Sequence, residues 1–245
     1  MLPRSSTQRI IRLERPQPGG LEMSAQDVPL ELRRHPRARR ISLRLNKAGD
    51  GIVLVLPQRT PIREALAFAE RNGDWILGKL EAVPARVPFA AGAVIPVLGV
   101  DHVVEHDARA RRGVWRGAGT ITVSGQAEHL PRRLGDFLKR EARQEISRRA
   151  RDKAARIDQR VGRISLRDPR SRWGSCSSKG DLSFSWRLIL TPDYVVDYVV
   201  AHEVAHLVEL NHSKRFWRLT AGLTPEMERA KDWLRREGSQ VHRYG

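Results

Sequence analysis

Two histidines and a glutamate at a characteristic spacing are the residues of this sequence that most directly indicate chemistry. His202, Glu203 and His206 form the pattern H-E-x-x-H. Side chains four residues apart lie on one face of a helix, with Cβ atoms about 5–6 Å apart, so both imidazoles can bind one metal ion. Glu203 lies next to His202, where its carboxylate can take a proton from water without binding the metal. The pattern predicts a zinc-dependent hydrolase with Glu203 as general base.

Two ligands do not hold zinc tightly, so a third is required. His212 is the best candidate, because it follows shortly after His206 and directly after Asn211, a residue type that tolerates the left-handed conformation found at helix ends. A helix that ends before His212 would let this side chain fold back over the ion. Glu226 and Glu228 are alternatives, since some H-E-x-x-H enzymes take a glutamate from a later helix.

The segment that carries these side chains is predicted to be a buried helix. Thr191 is a good N-cap, and Pro192 suits the first helical position. Residues 194–208 are apolar on nearly all sides, which is typical of a helix inside a protein. Unpaired polar groups are expensive in such surroundings, so a metal site is favoured over hydrogen-bonded core histidines.

Charge and composition restrict the partners. The formal net charge is +17 and the isoelectric point is about 11.2, so nucleic acid or another polyanion is a candidate partner besides a peptide or protein substrate. The basic segment 33–40 has no interleaved aromatic residues for base stacking, which favours a solvated strand edge over a nucleic-acid contact.

The chain shows no sign of secretion or membrane insertion. Its single cysteine, Cys176, excludes an internal disulfide framework and is typical of a reducing compartment. The N-terminus lacks an apolar core of signal-peptide length, and no later segment has about 18 uninterrupted apolar residues. We therefore expect a cytoplasmic protein without a membrane span.

Hydrophobic patterning predicts an α+β fold in three parts. Residues 1–28 are polar and Arg-rich, which predicts a flexible basic tail. Residues 29–126 alternate apolar and polar positions around one helical stretch, so they are predicted to form a small β-rich module with a helical insert. Residues 127–245 are then the catalytic domain.

The catalytic domain is predicted to contain a long helix over residues 130–157, a short antiparallel sheet and the H-E-x-x-H helix. The sheet strands are expected at 161–166 and 182–190, separated by a polar loop. The second strand leads into the metal helix and is expected to offer its edge to an extended peptide.

Several separated blocks resemble the YgjP-like metallopeptidase family, which is related to the SprT-like zincins. The main blocks are RWGSCSSKGD at 172–181 and HEVAHLVELNH at 202–212; weaker ones surround Leu56-Pro57, Trp75-Ile76 and Val97-Leu98-Gly99. The resemblance covers roughly residues 29–237. It implies a zinc peptidase in which His202, His206 and His212 are the ligands and Glu203 is the catalytic base.

Zincin chemistry leaves one position on the ion for water and needs a donor for the oxyanion of the reaction. Arg172 and Tyr198 are the first candidates for this donor or for substrate contacts, and His242 and Tyr244 are further ones. Cys176 is interpreted as a small buried hydrophobic residue.

Two other functions remain open from the sequence. A zinc-activated water can attack phosphorus, and a basic surface attracts phosphates, which would suit a nucleotide phosphohydrolase. Histidine ligands and the lack of a P-loop argue against it. A DNA-associated protease that acts on nucleic-acid-bound protein, as in SprT-like relatives, is the other alternative.

Overall fold

The computed structural model describes residues 6–16, 23–46, 49–82 and 85–245. They belong to two compact units, Met1–Pro84 and Ala85–Gly245. Each unit combines helices with small sheets, which confirms the predicted α+β class. Within the described residues, no helix has both the length and the apolar character required to cross a membrane.

The first unit contains four strands and two helices: β1 (Ser6–Pro16), β2 (Met23–Arg34), β3 (Ser42–Leu45), β4 (Ile52–Leu56), α1 (Ile62–Arg71) and α2 (Gly73–Glu81). The strand order is β1-β2-β4-β3, with β2 and β4 parallel and the other pairs antiparallel. Buried side chains of the strands and both helices form one core.

The predicted flexible tail at 1–28 is wrong over the residues that the structure describes. β1 pairs with β2 in register from Ser6↔Arg33 to Pro16↔Met23. Ile11 and Leu13 alternate with polar residues along β1, and both are buried in the core of this unit. The many arginines hide this short alternation in the sequence. Residues 1–5 and 17–22 lie outside the described residues.

The second unit contains seven strands and four helices: β5 (Val94–Val97), β6 (Val100–Asp107), β7 (Val114–Arg116), β8 (Thr120–Ser124), α3 (Leu130–Ala155), β9 (Ile164–Arg167), β10 (Gly174–Cys176), β11 (Leu182–Ser185), α4 (Asp193–Ala205), α5 (Lys214–Leu223) and α6 (Met227–Glu237). Short 3-10 helices cover Ala127–His129, Trp186–Leu190 and Gly238–Arg243.

The compact units divide the chain at a different place from the predicted boundary at residues 126/127. The sheet β5-β6-β8-β7 belongs to the same unit as α3. Ile95 and Ile121 of this sheet lie in one core with Leu134 and Leu138 of α3. The change in patterning near residue 126 therefore marks the end of a run of strands and not the edge of a core.

The sheet beside α4 differs from the prediction in two respects. Its order is β10-β11-β9, with β10 antiparallel and β9 parallel to β11, so it is mixed and not antiparallel. The strand expected at 182–190 ends at Ser185, whose Oγ accepts a hydrogen bond from the Arg187 N–H at 3.3 Å as the 3-10 helix begins. β11 is therefore paired on both sides, and the edge strand next to α4 is β10, inside the segment expected to be a loop.

The start of α4 also differs from the expectation. The helix begins at Asp193, and its N-cap is Pro192, without a side-chain cap. Thr191 is buried, and its hydroxyl donates to the Leu188 carbonyl at 2.8 Å instead. Thr191 thus closes the preceding 3-10 helix, which uses the hydroxyl that the predicted cap needed.

Buried charges join α3 to α4. Lys153 is 6% exposed, and its Nζ lies 2.7 Å from the Asp197 carboxylate and 2.7 Å from the Leu223 carbonyl at the end of α5. Arg149, one turn earlier on α3, pairs with Glu145 and with Asp193. Because removing one partner would leave a buried charge uncompensated, these pairs hold the register of α4 against α3.

We predict that Asp197→Asn lowers the free energy of unfolding by about 3 kcal/mol, because Lys153 would remain buried without its carboxylate. Denaturant unfolding followed by tryptophan fluorescence measures this change. The matched control is Asp232→Asn, which removes an exposed pair with Arg235 and should change stability by no more than about 0.5 kcal/mol. Equal effects of the two substitutions would contradict a positioning role for the buried pair.

Candidate metal centre

Three histidines converge where α4 ends. His202 lies in the last turn of α4, His206 caps its C-terminus, and His212 follows in the loop before α5. One ring nitrogen from each lies within 4.8 Å of the others, and the Nε2 atoms of His202 and His212 are 3.1 Å apart. Two nitrogens bound to one tetrahedral zinc at 2.0–2.1 Å are about 3.3 Å apart. The arrangement therefore fits a single small ion.

The chain returns to the site through a hydrogen-bonded loop. The Oδ1 of Asn211 accepts the Ser213 N–H at 3.2 Å, and the Oγ of Ser213 accepts the Phe216 N–H at 3.3 Å as the N-cap of α5. The sequence anticipates the Ser213 cap. The expected left-handed conformation of Asn211 is wrong: among described residues other than glycine, only Leu98 and Asp158 have positive φ.

Phe216 packs against all three histidine rings. Its side chain is completely buried, and its ring centroid lies 4.9, 4.5 and 4.7 Å from those of His202, His206 and His212. Trp217 lies beside the same cluster, with its ring centroid 5.8 Å from that of His202 and 5.5 Å from that of His212. Packed aromatic rings limit rotation of the imidazoles, so the donor atoms are held in place before any ion binds.

The surroundings of His202 and His206 favour the neutral form that ligation requires. Burial, followed by the neighbouring His206 and His212, lowers the pKa of His202 to about 4. Burial also lowers the pKa of His206. The Nδ1 of His206 lies 2.9 Å from the Glu209 carbonyl. A proton on Nδ1 that donates to this carbonyl leaves Nε2 free to coordinate, as is usual for metal-bound histidines.

Glu203 lies beside the cluster but is not one of its members. Its side chain is 6% exposed, and burial raises its pKa to about 7 against the opposing influence of Arg172. Gly174 of β10 packs directly on it: a Cβ built at Gly174 would lie 2.5 Å from both Cγ and Oε1 of Glu203. The sequence suggests only a turn or a cleft border at Gly174, and this close approach is visible only once β10 is placed against α4.

Of the candidate donors, the structure brings Tyr198 and Arg172 near the site. The Tyr198 ring lies 5.9 Å from that of His202, and burial, with the charges of Glu228 and Glu203, raises the pKa of Tyr198 to about 12. Its hydroxyl has no hydrogen-bond partner within the described chain. Arg172 is exposed.

The remaining candidates have other contacts. His242 stacks on Trp173 with ring centroids 5.9 Å apart, and the Tyr244 ring lies under Arg243. The carboxylates considered as alternative ligands are paired, Glu226 with Arg229 and Glu228 with Lys231. Burial, with the charges of Glu203 and Asp181, raises the pKa of Cys176. Within the described residues, the three histidines are the one group that matches a metal site.

Phe216 is the residue of the site that the sequence interpretation underrates. The sequence shows only an aromatic residue on the helix after His212. Its placement under all three imidazoles depends on the angle at which α5 folds back on α4.

Comparison with models of protein families identifies the family of this chain. A family model described as YgjP-like, metallopeptidase domain, matches residues 39–237, which is most of the chain. The protein belongs to the YgjP-like family. This confirms the resemblance drawn from the sequence, although the match begins ten residues later than expected. Comparisons with curated proteins and with solved structures give no significant match.

The residues that match the family model include the whole histidine cluster. Residues 39–237 include the whole stretch from α3 to α6, and therefore the three histidines, Glu203 and Gly174. A metallopeptidase domain implies a metal ion and peptide-bond hydrolysis as the class of activity, and the histidine cluster is a possible place for that ion.

We predict that Gly174→Ala lowers the free energy of unfolding by about 1–3 kcal/mol, because the new methyl group must displace Glu203 or β10. The control is Gly222→Ala in α5, where an added Cβ has no atom within 4 Å and alanine favours the helix by about 0.5–1 kcal/mol. Denaturant unfolding of both variants should thus give opposite signs. A Gly174→Ala protein as stable as the wild type would contradict the close packing on Glu203.

Proposed function

We propose that this protein is a zinc-dependent metallopeptidase in which His202, His206 and His212 hold the metal and Glu203 is the general base. The observation that carries the proposal is the convergence of three imidazole nitrogens within 4.8 Å of one another beside a buried carboxylate. Zinc is the preferred ion, since it favours nitrogen ligands in tetrahedral geometry, whereas magnesium and calcium prefer oxygen.

The chain's own residues supply the proton transfers. When bound, zinc acts as a Lewis acid that makes water more acidic and polarises the peptide carbonyl. Glu203 accepts a proton from the attacking water while the new C–O bond forms. Glu203 then donates this proton to the amine nitrogen as the C–N bond breaks. Its place one residue from His202 puts the carboxylate next to the metal ligands without making it one of them.

The substrate is proposed to be an extended peptide that pairs with β10. This strand lies at one edge of the order β10-β11-β9 and contacts α4 through Gly174 and Glu203. Strand addition to a free edge is a common mode of peptide binding. The absence of a side chain at Gly174 lets the backbone of the substrate-binding edge lie directly over the catalytic carboxylate.

Tyr198 is the better candidate for the oxyanion donor. It lies on α4 one turn before His202, with a neutral hydroxyl that has no partner within the described residues. A preorganised neutral donor in a partly buried site stabilises a developing charge without a change in solvation. The exposed Arg172 is instead assigned to substrate contacts, where its charge is screened by water.

We predict that the purified protein binds about one zinc ion per chain. His212→Ala should weaken zinc binding by more than the 10–100-fold expected for loss of an outer-shell partner, because a direct ligand is removed. Competition with a chromophoric chelator measures this affinity. His129→Ala, an exposed histidine outside the cluster, is the control and should leave the affinity unchanged. Unchanged affinity in His212→Ala would assign the third ligand to another residue.

We predict that Glu203→Gln lowers peptide hydrolysis by about 10²–10⁴-fold while the zinc content stays the same, because the amide cannot accept the proton. Glu209→Gln is the matched control, since its side chain pairs with Arg215 and only its backbone carbonyl contacts His206. Peptides, an unfolded protein and nucleoside triphosphates should be tested in parallel. Turnover of the triphosphates alone would replace the peptidase proposal by the phosphohydrolase alternative.

We predict that Tyr198→Phe lowers kcat by about 10²–10³-fold with little change in KM, as expected for loss of an oxyanion donor. Arg172→Gln should mainly raise KM, because an exposed substrate contact is lost in the ground state as well. Steady-state kinetics on one peptide with both variants separates the two roles. The reverse pattern would exchange the assignments of Tyr198 and Arg172.

A further inference from the structure

The charged side chains of α3 are divided between two faces of the helix. Towards α4, Arg149 and Lys153 are neutralised by carboxylates of α3 and α4. Arg140, Arg143 and Arg151 share a different face at i, i+3 and i+11 spacing. Within the described residues, none of these three arginines forms an ion pair, and Arg140 and Arg151 are exposed. Ion pairs within the protein therefore account for the cations on the face towards α4 but not for those on the other face.

The unpaired face of α3 borders a surface groove. Concavities of about 640 and 460 Å³ lie between α3 and β9 and share Arg143. A third concavity shares Lys139 and Asp136 with the second and continues to Pro131. Together they form the α3 groove, which extends from Pro131 to Asp152, about 30 Å at 1.5 Å per residue. Arg167 of β9 lines it from the opposite side.

The acidic residues along the α3 groove do not neutralise it. Each carboxylate that lines it is paired with an arginine outside the unpaired set: Asp136 with Arg132, Asp152 with Arg148 and Asp168 with Arg187. Along the first two of these concavities, five cationic side chains have no carboxylate partner within the described residues: Lys139, Arg140, Arg143, Arg151 and Arg167. The groove therefore has an excess of positive charge that no part of the described chain compensates.

We infer that the α3 groove binds the phosphate backbone of double-stranded nucleic acid without reading its sequence. Guanidinium groups match phosphate oxygens with paired donors, and a duplex has one negative charge per about 1.7 Å of its axis. A groove of about 30 Å spans about nine base pairs at 3.4 Å each. The aromatic residues that line it, Trp186 and Phe89, are only 5% and 8% exposed, so the stacking platforms that single strands require are not present there.

This binding is tested by replacing the groove arginines together. The variant Arg140→Gln, Arg143→Gln, Arg151→Gln is compared with Arg37→Gln, Arg39→Gln, Arg40→Gln, which removes the same charge from the exposed basic segment noted in the sequence. Fluorescence anisotropy of a labelled 20-base-pair duplex, with the full-length protein at several salt concentrations, gives the affinity and its salt slope. Circular dichroism and thermal unfolding confirm that both variants are folded.

The wild type is expected to bind the duplex with an affinity that falls steeply with salt. Loss of three phosphate contacts should lower the slope of log K against log salt by about 2.7 and the affinity at 0.1 M salt on the order of a hundredfold. The affinity loss of the control variant should be less than about a tenth of the loss in the groove variant. Equal losses in both variants, or no duplex binding by the wild type, would overturn the inference.

Two further binding measurements identify the class of ligand. An unpaired oligonucleotide of the same length should bind more weakly than the duplex, and vesicles that contain phosphatidylserine should not compete with it. Tighter binding of the single strand, or displacement by the vesicles, would contradict a duplex site. None of these measurements requires peptide hydrolysis, so the inference stands or fails separately from the proposed function.

Discussion

The convergence of three imidazoles on one place is the constraint on which the rest of the second unit depends. Imidazoles that face one another at close range are unfavourable where their polar atoms lose water and gain few partners. The Nδ1 of His202 illustrates this: it is buried and has no hydrogen-bond partner within the described residues. The surrounding packing must therefore maintain this arrangement, and Phe216 supplies much of this packing.

The supports of the cluster come from different parts of the unit. α3 fixes α4 through Lys153 and Asp197, and the same lysine reaches the end of α5 through the Leu223 carbonyl. α5 in turn carries Phe216. β10 packs against Glu203 through Gly174, whose lack of a side chain leaves room for the glutamate. A displacement of any of these elements moves either one of the three histidines or Glu203, which explains why a small site needs a domain of this size.

The two faces of α3 are chemically distinct. One face pairs its cations with carboxylates, which is compatible with burial against α4. The other leaves arginines in a groove open to solvent, where an unpaired cation is not penalised. Sequence alone shows only a helix rich in Arg and Glu, and both interpretations of its charge, a solvated face and a polyanion surface, are compatible with that pattern.

Local signals in the sequence were sufficient to single out the three histidines that the structure brings together and most helices. The H-E-x-x-H spacing, the Ser213 cap and the apolar periodicity of α3 act over a few residues, so they can be interpreted without knowledge of distant contacts. The order of the strands could not be obtained in this way. β11 is central because it pairs with both β10 and β9, and β1 is a strand because β2 is available to pair with it. Each pairing depends on a partner segment that the strand's own residues do not specify.

The H-E-x-x-H spacing, the third histidine and the family were thus already present in the order of residues, since a motif and a family resemblance are patterns of sequence. The close contact of Gly174 with Glu203, the ring of Phe216 beneath the histidines and the segregation of charge on α3 were not. Each of these features requires two elements to meet at a particular distance and angle, and that geometry arises only when the core between them is packed.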